Sequence, residues 1–114
     1  MPKFVIKRDG SKAVFDESKI AVAIWKAVSA VGGTDRAKSD AIAQKVVELV
    51  NERFTNDKIP SVEEIQDIVE TILIKGGHDK TAKAYILYRH QRELLRRTED
   101  MVNNFEIISQ YITQ

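Results

Sequence analysis

A chain of 114 residues, 43% apolar and 31% charged, has room for one modest core and has the balance of a folded rather than a disordered or membrane-embedded protein. Its net charge of +1 excludes the broad basic surface of a nucleic-acid binder, so any anion site must come from local clustering. The absence of cysteine excludes disulfides, thiolate metal sites and thiol catalysis and fits a reducing cytoplasm; no apolar run approaches the roughly 20 residues of a membrane helix, and the opening MPKFVIKRDG lacks the apolar core of a signal peptide.

The first elements are two short β-prone runs, Phe4 to Lys7 and Lys12 to Phe15, joined by RDGS. Asp9-Gly10 predicts a two-residue type I′ turn, in which both central residues take positive φ. That register pairs Lys7 with Lys12, Ile6 with Ala13, Val5 with Val14 and Phe4 with Phe15. Phe4, Ile6, Ala13 and Phe15 would then face the core, and Lys7 and Lys12 would face one another beside Val5 and Val14. Four helical patterns follow. Asp16 caps a helix over 17–31 with Ile20, Ile24, Ala27, Val28 and Val31 on one stripe. Gly32-Gly33 ends it, and Thr34 is the expected cap of a second helix over 35–53 carrying Ile42, Val46, Leu49 and Val50. In the loop FTNDKIP, Lys58-Ile59 offers a third short strand. SVEE at 61–64 is a capping box for a third helix lined by Val62, Ile65, Val69 and Ile72. Gly76-Gly77 stops it. A fourth helix runs from about 79 to 98 or beyond, with Ala82, Ile86, Leu87, Leu94 and Leu95 as its apolar positions, and the tail is expected to break at Asn103-Asn104. The predicted fold is mainly α (α+β): a four-helix bundle capped by an N-terminal β-hairpin or small three-stranded sheet. Residues 1–98 form the domain and 99–114 a tail or linker.

No pattern supports catalysis within this chain. His78 and His90 have no carboxylate at metal-ligand spacing, Ser61 is explained as a helix cap, and Glu63-Glu64 sit in a helix first turn, where acidic residues favour the dipole. The hairpin cations are harder to explain. Lys7 and Arg8 crowd its turn, and Lys19 opposes the dipole at the start of the first helix. A bound phosphate would reverse both penalties, accepting from the free N–H groups of that turn and pairing with Lys7 and Lys19. The plainer account is that lysines keep an exposed sheet edge soluble. On the fourth helix, Tyr85, Tyr88, Arg89 and Arg92 share a face, where they could pack a nucleobase and grip its phosphates, or simply cover a bundle seam. There is no Walker-type or dinucleotide glycine loop.

VIKRDGSKAVFDESKI at 5–20, PSVEEIQDIVETIL at 60–73 and TAKAYILYRHQREL at 81–94 together resemble the ATP-cone. This is a regulatory nucleotide-binding domain at the N-terminus of many ribonucleotide reductases and in a transcriptional repressor of their genes. The resemblance covers residues 3–95 in order and spacing. It implies ATP or dATP, with Mg²⁺ carried on the phosphates, bound beneath the hairpin. It implies that Lys7, Arg8 and Lys19 hold phosphates and that Val5 and Asp16 stand near the base. Three positions depart from the family pattern. Ala13 replaces a glutamate that contacts adenine, Gln66 stands where some members have histidine, and Gln91 replaces a phosphate-binding lysine, leaving Arg89 or Arg92 to supply that charge.

The absence of a cysteine zinc ribbon ahead of the hairpin favours the reductase setting over the repressor. NNFEIISQYIT resembles the run leading into the catalytic domain of the anaerobic glycyl-radical reductases. The expectation is a cytoplasmic allosteric domain in which ATP activates and dATP inhibits, acting on the catalytic domain of a parent enzyme and on other cones through oligomerisation. No nucleic-acid or membrane partner is expected. The alternatives are a helical protein-interaction module, a cone that has lost nucleotide binding, and the cone of a transcription regulator.

Overall fold

The computed structural model describes the backbone of residues 2–113 and the side chains of residues 2–99 and Met101. Two strands, β1 (Phe4–Ile6) and β2 (Lys12–Val14), precede four helices, α1 (Glu17–Ala30), α2 (Arg36–Arg53), α3 (Val62–Lys75) and α4 (Asp79–Thr113). Each helix packs on its neighbours in sequence, and α1 also packs on α4, which closes the bundle. The glycine turns Gly32-Gly33 and Gly76-Gly77 lie at one end, and the hairpin lies at the other.

Local chemistry sets the helix starts. Asp16 accepts from Ser18 N–H at 3.0 Å and from Ser18 Oγ at 2.6 Å, fixing the first turn of α1. The capping box at α3 is complete: Glu64 N–H donates to Ser61 Oγ and Ser61 N–H to Glu64 Oε1, both at 3.1 Å. At α2 the cap is Asp35 rather than Thr34, because the Asp35 carboxylate takes the N–H of Lys38 at 3.0 Å. The core draws Ile20, Ile24 and Ala27 from α1, Ile42, Val46 and Val50 from α2, and Ile65, Ile68, Val69 and Leu73 from α3. From α4 it takes Ala82 and Tyr85. The remaining positions of the expected α4 stripe, Ile86, Leu87, Leu94 and Leu95, are exposed, as is Val31 on α1. Their spacing matches a helix, but the face that α4 turns to the core carries Ala82, Ala84 and Tyr85 instead.

The hairpin departs from the expected register by one residue. Phe4 pairs with Val14, Val5 with Ala13 and Ile6 with Lys12, so Lys7 does not face Lys12. The turn is a three-residue loop. Lys7 N–H donates to Ser11 O at 2.8 Å and Gly10 N–H to Lys7 O at 2.9 Å, with Gly10 at φ +87°. Asp9 stays out of the left-handed region and instead accepts from Ser11 N–H at 2.9 Å and Ser11 Oγ at 2.6 Å. A one-residue slip exchanges the faces of a strand. Val5, Ala13 and Phe15 therefore turn inward, Val5 and Phe15 against the core, while Phe4 and Val14 are exposed and Lys12 Nζ lies 5.7 Å from the Phe4 ring centroid. Lys58-Ile59 does not form a third strand. The loop, with Asn56 and Asp57 both left-handed, instead brings Pro60 beside β1, where Ile6 N–H donates to Pro60 O at 2.9 Å and Ile6 makes one parallel bridge to Ser61. The helix α4 continues through Asn103 and Asn104 without the expected break. The side chains of residues 102–114, on which the tail resemblance partly rests, lie outside the described residues.

The turn geometry makes a prediction. A side chain at position 10 meets no atom within 4 Å, so the penalty of Gly10→Ala is conformational only. The substitution is expected to destabilise the fold by about 1–2 kcal/mol, and Ser61→Ala to cost about 1 kcal/mol through the lost cap. Urea unfolding measures both, and a neutral Gly10→Ala would exclude the left-handed turn.

Candidate functional site

Because β1 is fixed against Pro60 and Ser61, the turn that follows it stands over the first turn of α3 and reaches α4. A cavity of about 620 Å³ lies there, lined by Lys7, Arg8 and Asp9 of the turn, Val62 of α3, and Glu93, Arg96, Arg97 and Glu99 of α4. Its volume lies in the range of small-molecule sites. Four cations and three carboxylates surround it, a local concentration that the net charge of the whole chain conceals.

The carboxylates are not equivalent. Asp9 is committed to Ser11, whose hydroxyl and N–H hold its pKa below the usual carboxylate range. Glu93 bridges the turn and the helix: its Oε1 lies 3.3 Å from Arg8 Nη2 and 2.9 Å from Arg97 Nη2. The contact from Arg8 is the main reason its pKa is also lowered. Arg8 further approaches Glu63 Oε1, Nε to oxygen, at 3.5 Å. All these groups are substantially solvated, so each pair contributes little to stability alone and is easily exchanged. Among the described residues neither Lys7 nor Lys19 makes an ion pair.

The other residues singled out in the sequence are placed as follows. Val5 is half-buried on the inner face of the hairpin, and Asp16 is spent on capping α1, where the Ser18 hydroxyl lowers its pKa. Lys19 is exposed in the first turn of α1, and Gln66 is half-buried on α3. The shared face of α4 divides. Tyr85 is 4% exposed, and burial raises its pKa. Tyr88 is half-buried with Lys26 Nζ 5.6 Å from its ring centroid. Arg89 Nη1 donates to Asp67 Oδ1 and Glu70 Oε1, both at 2.8 Å, joining α4 to α3. Burial opposes its charge, but these two carboxylates outweigh that and leave its pKa raised. Arg92 is exposed and makes no ion pair among the described residues. The cavity thus gathers Lys7 and Arg8 from the expected set, and adds Arg96 and Arg97. The i, i+4 relation between Glu93 and Arg97 is visible in the sequence, but the approach of the hairpin turn to that part of α4 is not.

The model of the ATP cone domain family matches residues 3–94. The chain is 40% identical over 107 residues to the vitamin B12-dependent ribonucleoside-diphosphate reductase of Thermoplasma acidophilum, covering 90% of this chain and 13% of that protein. It is 44% identical over 93 residues to the anaerobic ribonucleoside-triphosphate reductase of Haemophilus influenzae, covering 81% of this chain and 13% of the relative. Against the ribonucleoside-diphosphate reductase subunit alpha of Chlamydia muridarum it is 37% identical over 122 residues, covering 92% and 12%. The chain therefore spans only a small part of the length of the relatives it matches.

The electrostatics predict an acid response. Asp9, Asp16 and Glu93 all have pKa values lowered in the folded state, so folded protein holds fewer protons than unfolded protein in the carboxylate range. Their contribution is present above the ordinary carboxylate values and is lost as pH falls through the lowered folded values. The melting temperature is expected to fall between about pH 5 and about pH 2, and less steeply for Glu93→Gln. Equal slopes for the variant and wild type would remove Glu93 from this account.

Proposed function

This chain belongs to the ATP cone domain family, and on that footing we propose that it is an allosteric nucleotide-binding domain controlling the overall activity of a ribonucleotide reductase. The observation that carries the reading is the cavity beneath the hairpin turn, at which Lys7 and Arg8 stand together with two further arginines and for which Lys7 has no carboxylate partner among the described residues. Such an arrangement suits a polyphosphate. In this reading residues 1–98 are the nucleotide-binding unit, and residues 99–114 lead toward the catalytic domain of a longer cytoplasmic enzyme. Among the described residues no helix is long and apolar enough to cross a membrane.

Lys7, Arg8 and Lys19 take the phosphates. Val5 and Asp16 stand toward the base, Gln66 offers a hydrogen bond from α3, and Tyr88 and Arg92 contribute from α4. Arg89 joins them only by giving up Asp67 and Glu70. Mg²⁺ enters on the phosphates of the nucleotide. ATP and dATP differ by the ribose 2′-OH alone. For one to activate and the other to inhibit, they must bind two arrangements of the cone with different affinity, since a ligand that binds both equally shifts nothing. We assign the readout to association between cones, for which the exposed side chains of Leu87, Leu94 and Leu95 on α4 offer apolar surface. The same surface favours the second reading, a helical module that binds a protein partner without nucleotide.

Calorimetric titration with Mg²⁺ and ATP, dATP or GTP separates the two. A nucleotide domain is expected to bind the adenine nucleotides in preference to GTP. Each of Lys7→Ala and Lys19→Ala is expected to weaken that binding about tenfold or more, the loss of one charge-assisted contact. An interaction module would show no heat with any nucleotide, and removing either lysine would leave its stability unchanged or slightly raised.

A further inference from the structure

We infer that Arg96 and Arg97 of α4 are phosphate ligands in the same cavity as Lys7 and Arg8, and that Glu93 is an internal stand-in for the phosphate, displaced when nucleotide binds. This rests on the nucleotide-binding reading above and specifies how that site is held and released. The lining of the cavity is the first support: its four cations come in two pairs, Lys7-Arg8 from the hairpin turn and Arg96-Arg97 from α4. The second is the position of Glu93. Its carboxylate lies between the two pairs, 3.3 Å from Arg8 and 2.9 Å from Arg97, where it takes one guanidinium from each. Any phosphate that reaches Arg8 and Arg97 together must occupy the ground Glu93 now holds.

The exchange is physically easy. The Arg8 and Glu93 side chains are 40% and 30% exposed and that of Arg97 is 69% exposed, so the pairs are worth little and rearrange without opening the core. A phosphate carries more charge than a carboxylate and presents more acceptor oxygens to the same guanidinium groups. Glu63, the second partner of Arg8, sits in the first turn of α3, where the helix dipole favours its charge when Arg8 leaves. The consequence is geometric. With Glu93 in place, the hairpin turn is joined to α4 through a carboxylate of α4 itself. With nucleotide in place, the two are joined through the ligand.

The test is calorimetry with AMP, ADP and ATP on the wild-type chain, on an Arg96→Ala/Arg97→Ala double variant, on Glu93→Gln and on a control, Lys45→Ala, at an exposed position of α2. The double variant is expected to bind ATP about tenfold more weakly, with a smaller loss for ADP and none for AMP. Glu93→Gln is expected to bind ATP about two- to fivefold more tightly, because the competing carboxylate is gone. Thermal melts establish that each variant is folded; the substituted side chains lie outside the core. If Lys7→Ala loses ATP while the double variant binds all three nucleotides like wild type, the arginines are not ligands and the inference fails with the nucleotide reading intact. Weaker ATP binding by Glu93→Gln would equally overturn the displacement. If the wild-type chain binds no nucleotide, the reading itself fails and this inference with it.

Discussion

The contact between β1 and the start of α3 determines more of this molecule than its size suggests. Ile6 gives its N–H to Pro60, and Ile6 bridges Ser61. A two-stranded hairpin is marginal by itself, so these links, with Val5 and Phe15 packed on the core, are what hold it across the end of the bundle. Proline suits the position because it has a carbonyl to give and no N–H to satisfy. Ser61 is at once the bridge residue and the N-cap of α3. The point that anchors the hairpin therefore also fixes where α3 begins, and the residues of the turn fall over the α3 first turn by construction. Arg8 meets Glu63 for this reason.

Charge in this chain is arranged by element rather than in bulk. Carboxylates close helix starts at Asp16 and Asp35, rigidify the turn at Asp9, and tie α3 to α4 through Asp67, Glu70 and Arg89. Each has a nearby donor that fixes it. Cations are used differently. Arg89 is locked by two carboxylates at 2.8 Å, whereas Lys7 and Lys19 have no such partners among the described residues, and Arg8 has only loose ones at 3.3 and 3.5 Å. At the cavity the pairing is mixed: Arg97 holds Glu93 at 2.9 Å, nearly as closely as Arg89 holds its carboxylates, while Arg8 is held loosely and Lys7 makes no ion pair among the described residues. What distinguishes Arg89 is solvation, its side chain being 25% exposed against 69% for Arg97.

The helices were legible because their signals are local. Apolar spacing, the SVEE capping box and the two glycine pairs each act within a few residues, and all three place boundaries within a residue or two of those observed. The hairpin was legible as a hairpin but not in register. Asp-Gly supports either a two-residue turn with both residues at positive φ or a three-residue loop with only the glycine there. The Ser11 hydroxyl decides between them, since it gives Asp9 a second bond in the longer loop. From that single residue followed the wrong face for Phe4 and the wrong partner for Lys7. The lining of the cavity was half legible for a similar reason. Lys7 and Arg8 stand out within one short segment, but Arg96 and Arg97 line the same cavity only because the fold brings a turn near residue 8 to a helix near residue 97. Sequence periodicity contains no term for that approach.

The length of α4 gives this arrangement its direction. Its 35 residues span about 52 Å, against about 21 Å for each of the 14-residue helices α1 and α3. It enters the bundle at the glycine end, where Ala82 and Tyr85 are buried, and is gripped by α3 through Arg89. It then passes the hairpin turn at Glu93 and Arg97. Between Arg89 and Glu93 the helix changes from a member of the core to a rod with exposed Leu94 and Leu95. A force applied near residues 93–97 therefore acts beyond the last firm attachment, where the bundle resists least. A ligand seated at the hairpin turn would act at that place, away from the core that Ile24, Val46, Val50 and Leu73 close-pack.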